Sequence, residues 1–174
     1  MGCIIAIGGK AGAGKSTVAK IIQEYYSQLC MFNTRICPMA ESVKRIAKEI
    51  YFWNGIKDDE GRQLLQDIGT LGRKYNKDTW IKHWLNTNDP LSGIIIIDDI
   101  RFENEVLWLC SMVSDNIIKL LYIDVIGRKY DLGELGKHES EQGTGMEPDC
   151  IIDNSGSIDD LKPKITSILE KFIS

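Results

Sequence analysis

The sequence has no excess of positive charge. Its 21 Lys and Arg are outnumbered by 25 Asp and Glu, for a formal charge of −4. That balance excludes a polybasic binder of nucleic acid polymers. There is no long hydrophobic run either: the clearest, Ile94–Ile97, is four residues and far too short to cross a bilayer. No C-x-x-C pair occurs among the five scattered cysteines, so neither a zinc site nor a disulfide framework is indicated, and reduced thiols are expected. Met1 is followed at once by an apolar run and glycines, not by a basic leader segment. The expectation is a cytoplasmic protein, or one of the host cytoplasm if the chain is viral, with no membrane partner. At 43% hydrophobic and 26% charged residues over 174 positions, the composition fits one globular domain with a real core.

Apolar patterning alternates between strand and helix. Cys3–Ile7 reads as a buried strand, and Gly14–Leu29 as a helix carrying Val18, Ile21, Ile22 and Tyr25 on one face. Thr34–Pro38 follows as a second strand. Glu41–Tyr51 and Arg62–Tyr75 have helical spacing, with Asn54–Glu60 a polar connector between them. Asp78 is placed to cap a short helix bearing Trp80 and Trp84. Ile94–Ile97 is a strand, Asn104–Val113 a helix and Ile117–Val125 a strand. Gly127–Pro148 shows little periodicity and reads as a mobile, lid-like excursion. Cys150–Ile152 and Ile158–Phe172 close the pattern as a strand and an amphipathic helix. Such alternation predicts a parallel sheet covered on both faces, with ligands beyond the carboxyl ends of its strands.

Gly9-Lys10-Ala11-Gly12-Ala13-Gly14-Lys15-Ser16 fits G-x-x-x-x-G-K-[ST] without a gap. Glycines let successive N–H groups turn inward on a polyphosphate, and the following helix points its positive end at the same oxygens. Lys15 adds charge at the β- and γ-phosphates, and the Ser16 hydroxyl is a ligand for Mg²⁺. Lys10 and Thr17 are neighbouring candidates for phosphate contact. Ile94–Ile97 delivers Asp98 and Asp99 to the same sheet edge. Side chains alternate along a strand, so only one of the two faces a metal. Arg101 follows two residues later.

Several stretches, in order, carry a family resemblance. Asp99-Ile100-Arg101-Phe102-Glu103-Asn104-Glu105 resembles the D-V-R-F-x-N-E signature of phage-type deoxynucleoside monophosphate kinases. Met39-Ala40-Glu41-Ser42-Val43-Lys44 resembles that family's segment ending in a substrate-side lysine. Leu65–Arg73 with Asp78-Thr79-Trp80 resembles its L-Q-x-I-G-T block, and His138-Glu139-Ser140-Glu141 and Asn154-Ser155-Gly156-Ser157 its later motifs.

The resemblance implies a P-loop NTPase fold, a three-layer α/β/α sandwich with a parallel central sheet and a short lid excursion. It implies one domain over residues 1–174, with a helical acceptor-binding region at about 40–90 and a lid at about 127–148. The implied reaction moves the γ-phosphoryl of ATP to a deoxynucleoside monophosphate, with Mg²⁺. Gly12, Ala13, Gly14, Lys15, Ser16 and Thr17 would bind the donor's phosphates, with Asn154, Ser155 and Gly156 near its base. Lys44, Arg73 and Arg101 would hold the acceptor monophosphate, Trp80 would wall its pocket, and Glu105, beside Arg101, would belong to the same substrate-binding set. Asp99 would organise Mg²⁺ with Ser16, and Arg128 would close over the phosphates. Another P-loop small-molecule kinase, of the dephospho-coenzyme A or phosphomevalonate kinase kind, and a non-catalytic nucleotide switch are the alternatives. The aromatics between Tyr51 and Trp84 suggest a face for a homodimer.

Overall fold

The computed structural model describes residues 2–29, 33–115, 117–127 and 131–173. Five strands, β1 (Gly2–Gly8), β2 (Thr34–Ile36), β3 (Ile94–Ile97), β4 (Ile118–Ile126) and β5 (Cys150–Asp153), form one sheet in the order β2-β3-β1-β4-β5. Every pairing is parallel. β1 lies in the middle, registered Ala6 to Ile97 on one side and Gly8 to Asp124 on the other. The sequence reading of an α/β sandwich with a parallel central sheet holds.

Both faces of the sheet are covered, which explains why β1 and β3 are apolar without alternation. Ile5 and Ile7 face helix α1 (Lys15–Gln28) through Val18 and Ile22, and helix α6 (Ile158–Ile173) through Leu161, Ile165 and Leu169. Ile4, Ala6, Ile95 and Ile97 point the other way. They meet Val106, Leu109 and Met112 of helix α5 (Glu103–Ser114), and Trp84 of helix α4 (Thr79–Thr87). Helices α2 (Glu41–Tyr51) and α3 (Asp59–Tyr75) pack on each other through Val43, Ala47 and Ile68. They stand beyond the strand ends, in the region expected to hold an acceptor.

Element boundaries differ locally from the sequence reading. α3 starts at Asp59 because Asp58 accepts the Gly61 N–H at 2.8 Å, so the polar connector is shorter than expected. β2 stops at Ile36, before Pro38. Asp78 occupies the cap position of α4, but its carboxylate accepts from the Asn104 side chain instead of the helix backbone. The excursion contains two 3₁₀ turns, Gly133–Lys137 and Glu139–Glu141. Among the described residues no helix is long and apolar enough to cross a membrane.

Candidate active site

The phosphate loop leaves β1 and turns into α1. Two of its glycines are required by the backbone. Gly9 has φ +128°, and a Cβ there would lie 2.4 Å from the Val125 carbonyl oxygen. Gly14 has φ +97°, and a Cβ would meet the Asn154 amide nitrogen at 2.1 Å. No L side chain satisfies either position. Lys15 is 8% exposed. Its ammonium donates to the carbonyls of Gly9 at 2.7 Å and Lys10 at 2.9 Å. Burial, with the charge of Arg101 second, lowers its pKa to about 8, against the opposing pull of Glu141, Asp99 and Asp98.

The two aspartates at the end of β3 divide as alternation requires. The Ser16 hydroxyl donates to Asp98 Oδ2 at 2.7 Å. Asp99 turns toward α2, where its two oxygens accept the N–H groups of Met39 at 2.7 Å and Ala40 at 3.0 Å. Burial and the Asp98 charge push the Asp99 pKa up, while Lys44 and those N–H groups hold it down. The expectation that Asp99 partners Ser16 is therefore corrected: the carboxylate beside Ser16 is Asp98, and Asp99 caps the turn into α2. Among the described residues no cluster of three or more His, Cys, Asp and Glu could cage a metal. A hydroxyl and a carboxylate oxygen suit Mg²⁺ carried in by phosphates, which keeps most of its water.

Beyond the loop opens a cleft of about 400 Å³, within the range of small-molecule sites. Gly12, Gly14, Lys15, Ser16 and Thr17 of the loop line it together with Lys44, Arg73, Arg101, Asp98 and Asp99. Arg73 stacks over the Phe102 ring, its Cζ 4.0 Å from the centroid. The described part of the excursion lines the cleft as a docked segment, through Leu132, His138, Ser140 and Glu141. Gln66 donates to the Leu135 carbonyl at 3.2 Å, and Thr70 Oγ1 lies 3.0 Å from His138 Nε2. Arg73 pairs with Glu139 at 2.9 Å and Arg101 with Glu141 at 2.8 Å.

Other expected site residues lie elsewhere. Trp80 is behind α3, where Nε1 donates to the Gly69 carbonyl at 2.9 Å and the ring fills the space beside Gly72. It supports α3 and does not line the cleft. Glu105 is 6% exposed. Its Oε2 accepts the N–H of Arg101 at 2.8 Å and of Phe102 at 3.0 Å, so it fixes the turn and not a ligand. Burial raises its pKa to about 7 against those two N–H groups. Asn154 is 4% exposed and donates to the Ala13 carbonyl at 2.8 Å. It braces the loop from below instead of meeting a base. Ala13 lends that carbonyl while its side chain is in the core. Lys10 is exposed and offers the loop its carbonyl. Ser155 and Gly156 are exposed after β5, outside the cleft. Arg128 lies outside the described residues.

Residues that sequence reasoning missed also line the cleft: Lys57, Arg62 and Gln66 from the helical region, and His138 and Glu141 from the excursion. The H-x-S-E stretch was visible as a motif. Its pairing with arginines was not, because ion pairs between distant segments leave no local periodicity.

No protein-family model and no curated protein matches the sequence. Solved structures do match its fold. The chain is similar to APS kinase CysC of Mycobacterium tuberculosis in complex with AMPPNP and APS, at TM-score 0.54 and 12% identity over 97% of this chain and 98% of that one. A Cys556Ala mutant of the same kinase gives 0.53 and 13%, over 97% of each chain. A kinase-like protein of Chloroflexus aurantiacus gives 0.54 and 10%, over 98% and 97%. At such identities the likeness shows the fold alone: the parallel α/β sheet covered by helices that these structures share.

Proposed function

We propose that the chain is an ATP-dependent phosphotransferase whose acceptor is itself a phosphate ester, a deoxynucleoside monophosphate. One observation carries the reading: the loop that fits a polyphosphate shares a single cleft with two arginines supplied by other elements, Arg73 of α3 and Arg101 after β3. The motifs shared with deoxynucleoside monophosphate kinases support the choice of acceptor. The likeness to solved P-loop kinases supports phosphoryl transfer.

The chemistry asks little of the protein beyond alignment and charge. The donor's β- and γ-phosphates rest on the inward N–H groups of the loop, with Lys15 between them. A guanidinium fork matches phosphate in two places, so Arg73 and Arg101 hold the acceptor's phosphate in line with the γ-phosphorus. An ionised acceptor oxygen forms the new P–O bond as the bond to the ADP oxygen breaks. That oxygen carries no proton at neutral pH, so no general base is needed. Ser16 and Asp98 would hold Mg²⁺, which when bound neutralises charge on the donor's phosphates. The excursion excludes water that would otherwise take the phosphoryl group.

A coupled ADP-release assay tests the reading across deoxy- and ribonucleoside 5′-monophosphates, with adenosine 5′-phosphosulfate as a comparison acceptor. ADP release that depends on a deoxynucleoside monophosphate, with the diphosphate as product, is expected. Release with no monophosphate, or only with the phosphosulfate, overturns it. Stabilisation against heat by triphosphate alone would favour a switch. The partners proposed are these small molecules. A homodimer through the helical region that carries the exposed aromatics Tyr51, Phe52 and Tyr75 is part of the proposal and is tested by light scattering.

A further inference from the structure

Arg101 is held at both ends by carboxylates. Its main-chain N–H donates to Glu105. Its guanidinium Nη1 meets Glu141 Oε2 at 2.8 Å and also donates to the Ser140 carbonyl at 2.9 Å. The same Glu141 oxygen accepts the N–H of Ala11 at 3.0 Å, and Ala11 belongs to the phosphate loop. One buried carboxylate oxygen therefore ties the acceptor arginine to the donor loop.

The companion pair on the excursion differs. Glu139 binds Arg73 through Nε and Nη2, but its side chain is 58% exposed and touches no loop amide. An ion pair so exposed is screened and worth little. Glu141 is only 10% exposed, and its two partners, a guanidinium and a loop N–H, come from the two halves of the proposed reaction.

We infer that Glu141 is a positioning residue for phosphoryl transfer, holding the Arg101 guanidinium against the phosphate loop so that its remaining edge meets the acceptor phosphate. The inference rests on the reading under Proposed function. Among the described residues, Nε and Nη2 of Arg101 have no hydrogen-bond partner, and Arg101 lines the cleft. An unheld arginine is a long chain with much rotamer freedom, and restraining one edge of its fork removes that cost before the substrate arrives. The excursion thus does more than exclude water. It carries the group that sets the angle of a substrate-binding side chain.

A double-mutant cycle on the full chain tests this: wild type, Glu141→Gln, Arg101→Ala and the double variant, with the best acceptor from the ADP-release panel. Glu141→Gln is expected to lower kcat/KM for the acceptor about tenfold or more, the scale of a lost charge-assisted hydrogen bond, with KM for ATP little changed. Arg101→Ala should cost more, and the double variant should be no slower than Arg101→Ala alone. Losses that multiply, or a Glu141→Gln enzyme as fast as or faster than wild type, overturn the inference. The faster outcome would mark Glu141 as a competitor of the phosphate. Glu141→Asp, one methylene shorter, replaces Gln in the cycle if that variant does not fold, with the same non-additivity expected.

A second readout needs no acceptor. Side-chain ¹⁵N NMR of the ligand-free protein should show hindered rotation of the Arg101 guanidinium in wild type and free rotation in the Glu141 variant. Equal rotation in both overturns the inference. If no monophosphate is phosphorylated but the NMR difference is found, the proposed function falls and the hold on Arg101 stands.

Discussion

Ser16 and Asp98 are joined by a 2.7 Å hydrogen bond from the Ser16 hydroxyl to Asp98 Oδ2, while the adjacent Asp99 faces α2. The two neighbouring carboxylates thus have separable roles. Asp98→Asn should lower turnover at least tenfold and raise the Mg²⁺ concentration needed for half-maximal rate. Asp99→Asn should leave the Mg²⁺ requirement near wild type and lower Tm, because an N–H acceptor at the turn into α2 is weakened. Mg²⁺ titrations and melting curves of both variants decide, and the opposite assignment would restore Asp99 to the metal.

Burial lowers the Lys15 pKa to about 8. Its ammonium is charged below that pH and neutral above it, and only the charged form attracts phosphate. The value of kcat/KM for ATP should therefore be flat on the acid side of about pH 8 and fall by up to tenfold per unit on the alkaline side. Lys15→Ala should remove most transfer at every pH while the melting curve stays cooperative. A full pH–rate profile of both proteins is the measurement.

Arg73 and Arg101 line the cleft, and the proposed function gives them the acceptor. Arg73→Ala and Arg101→Ala should each raise the acceptor's KM or lower kcat by about 10- to 100-fold, and leave AMPPNP affinity within a few-fold. Calorimetric titration with AMPPNP beside acceptor kinetics makes the comparison. Equal losses for both ligands would make the arginines supports of the fold.

Glu105 offers a test in the opposite direction. Its pKa is about 7 folded against an ordinary 4.5, so between those values the folded chain holds a proton that the unfolded chain releases. The stability from this group is present below about 4.5 and is lost as pH rises through about 7. Glu105→Gln keeps an oxygen for the Arg101 and Phe102 N–H groups and carries no charge to bury. It should match wild type near pH 4 and melt higher at pH 8, by about 2–4 °C for each kcal/mol. Calorimetry at the two pH values settles the sign.

Asn154→Ala should strand the Ala13 carbonyl beneath the loop. A buried acceptor left without its donor costs about 1–3 kcal/mol. A lower Tm and weaker AMPPNP binding are expected together. A loss of binding with an unchanged Tm would return Asn154 to the ligand.

Much of this architecture was legible in the chain. Four successive isoleucines ending in two aspartates place β3 and the carboxylates at its end, and the glycine spacing from Gly9 to Gly14 places the loop. These signals are local, because a buried strand and a phosphate-binding turn each constrain consecutive residues. Trp80, Glu105 and Asn154 were less legible. Each is a polar or amphipathic group whose partner is a main-chain atom, and sequence does not say whether such a group turns inward to brace a turn or outward to a ligand. The choice between Asp98 and Asp99 turned on one residue of register, which the run of identical isoleucines could not fix. Glu139 and Glu141 were hidden because their partners lie in other segments.

β1 stands between β3 and β4 in one ladder. The phosphate-loop segment and the segment bearing Asp98 and Arg101 leave adjacent strands, so their spacing is a lattice constant of the sheet, about 4.8 Å. Helices α2 and α3 belong to no such lattice. Mutation can therefore remodel that helical wall while the loop and the end of β3 keep their separation, and on the proposed function one scaffold can be retuned to new cargo without being rebuilt.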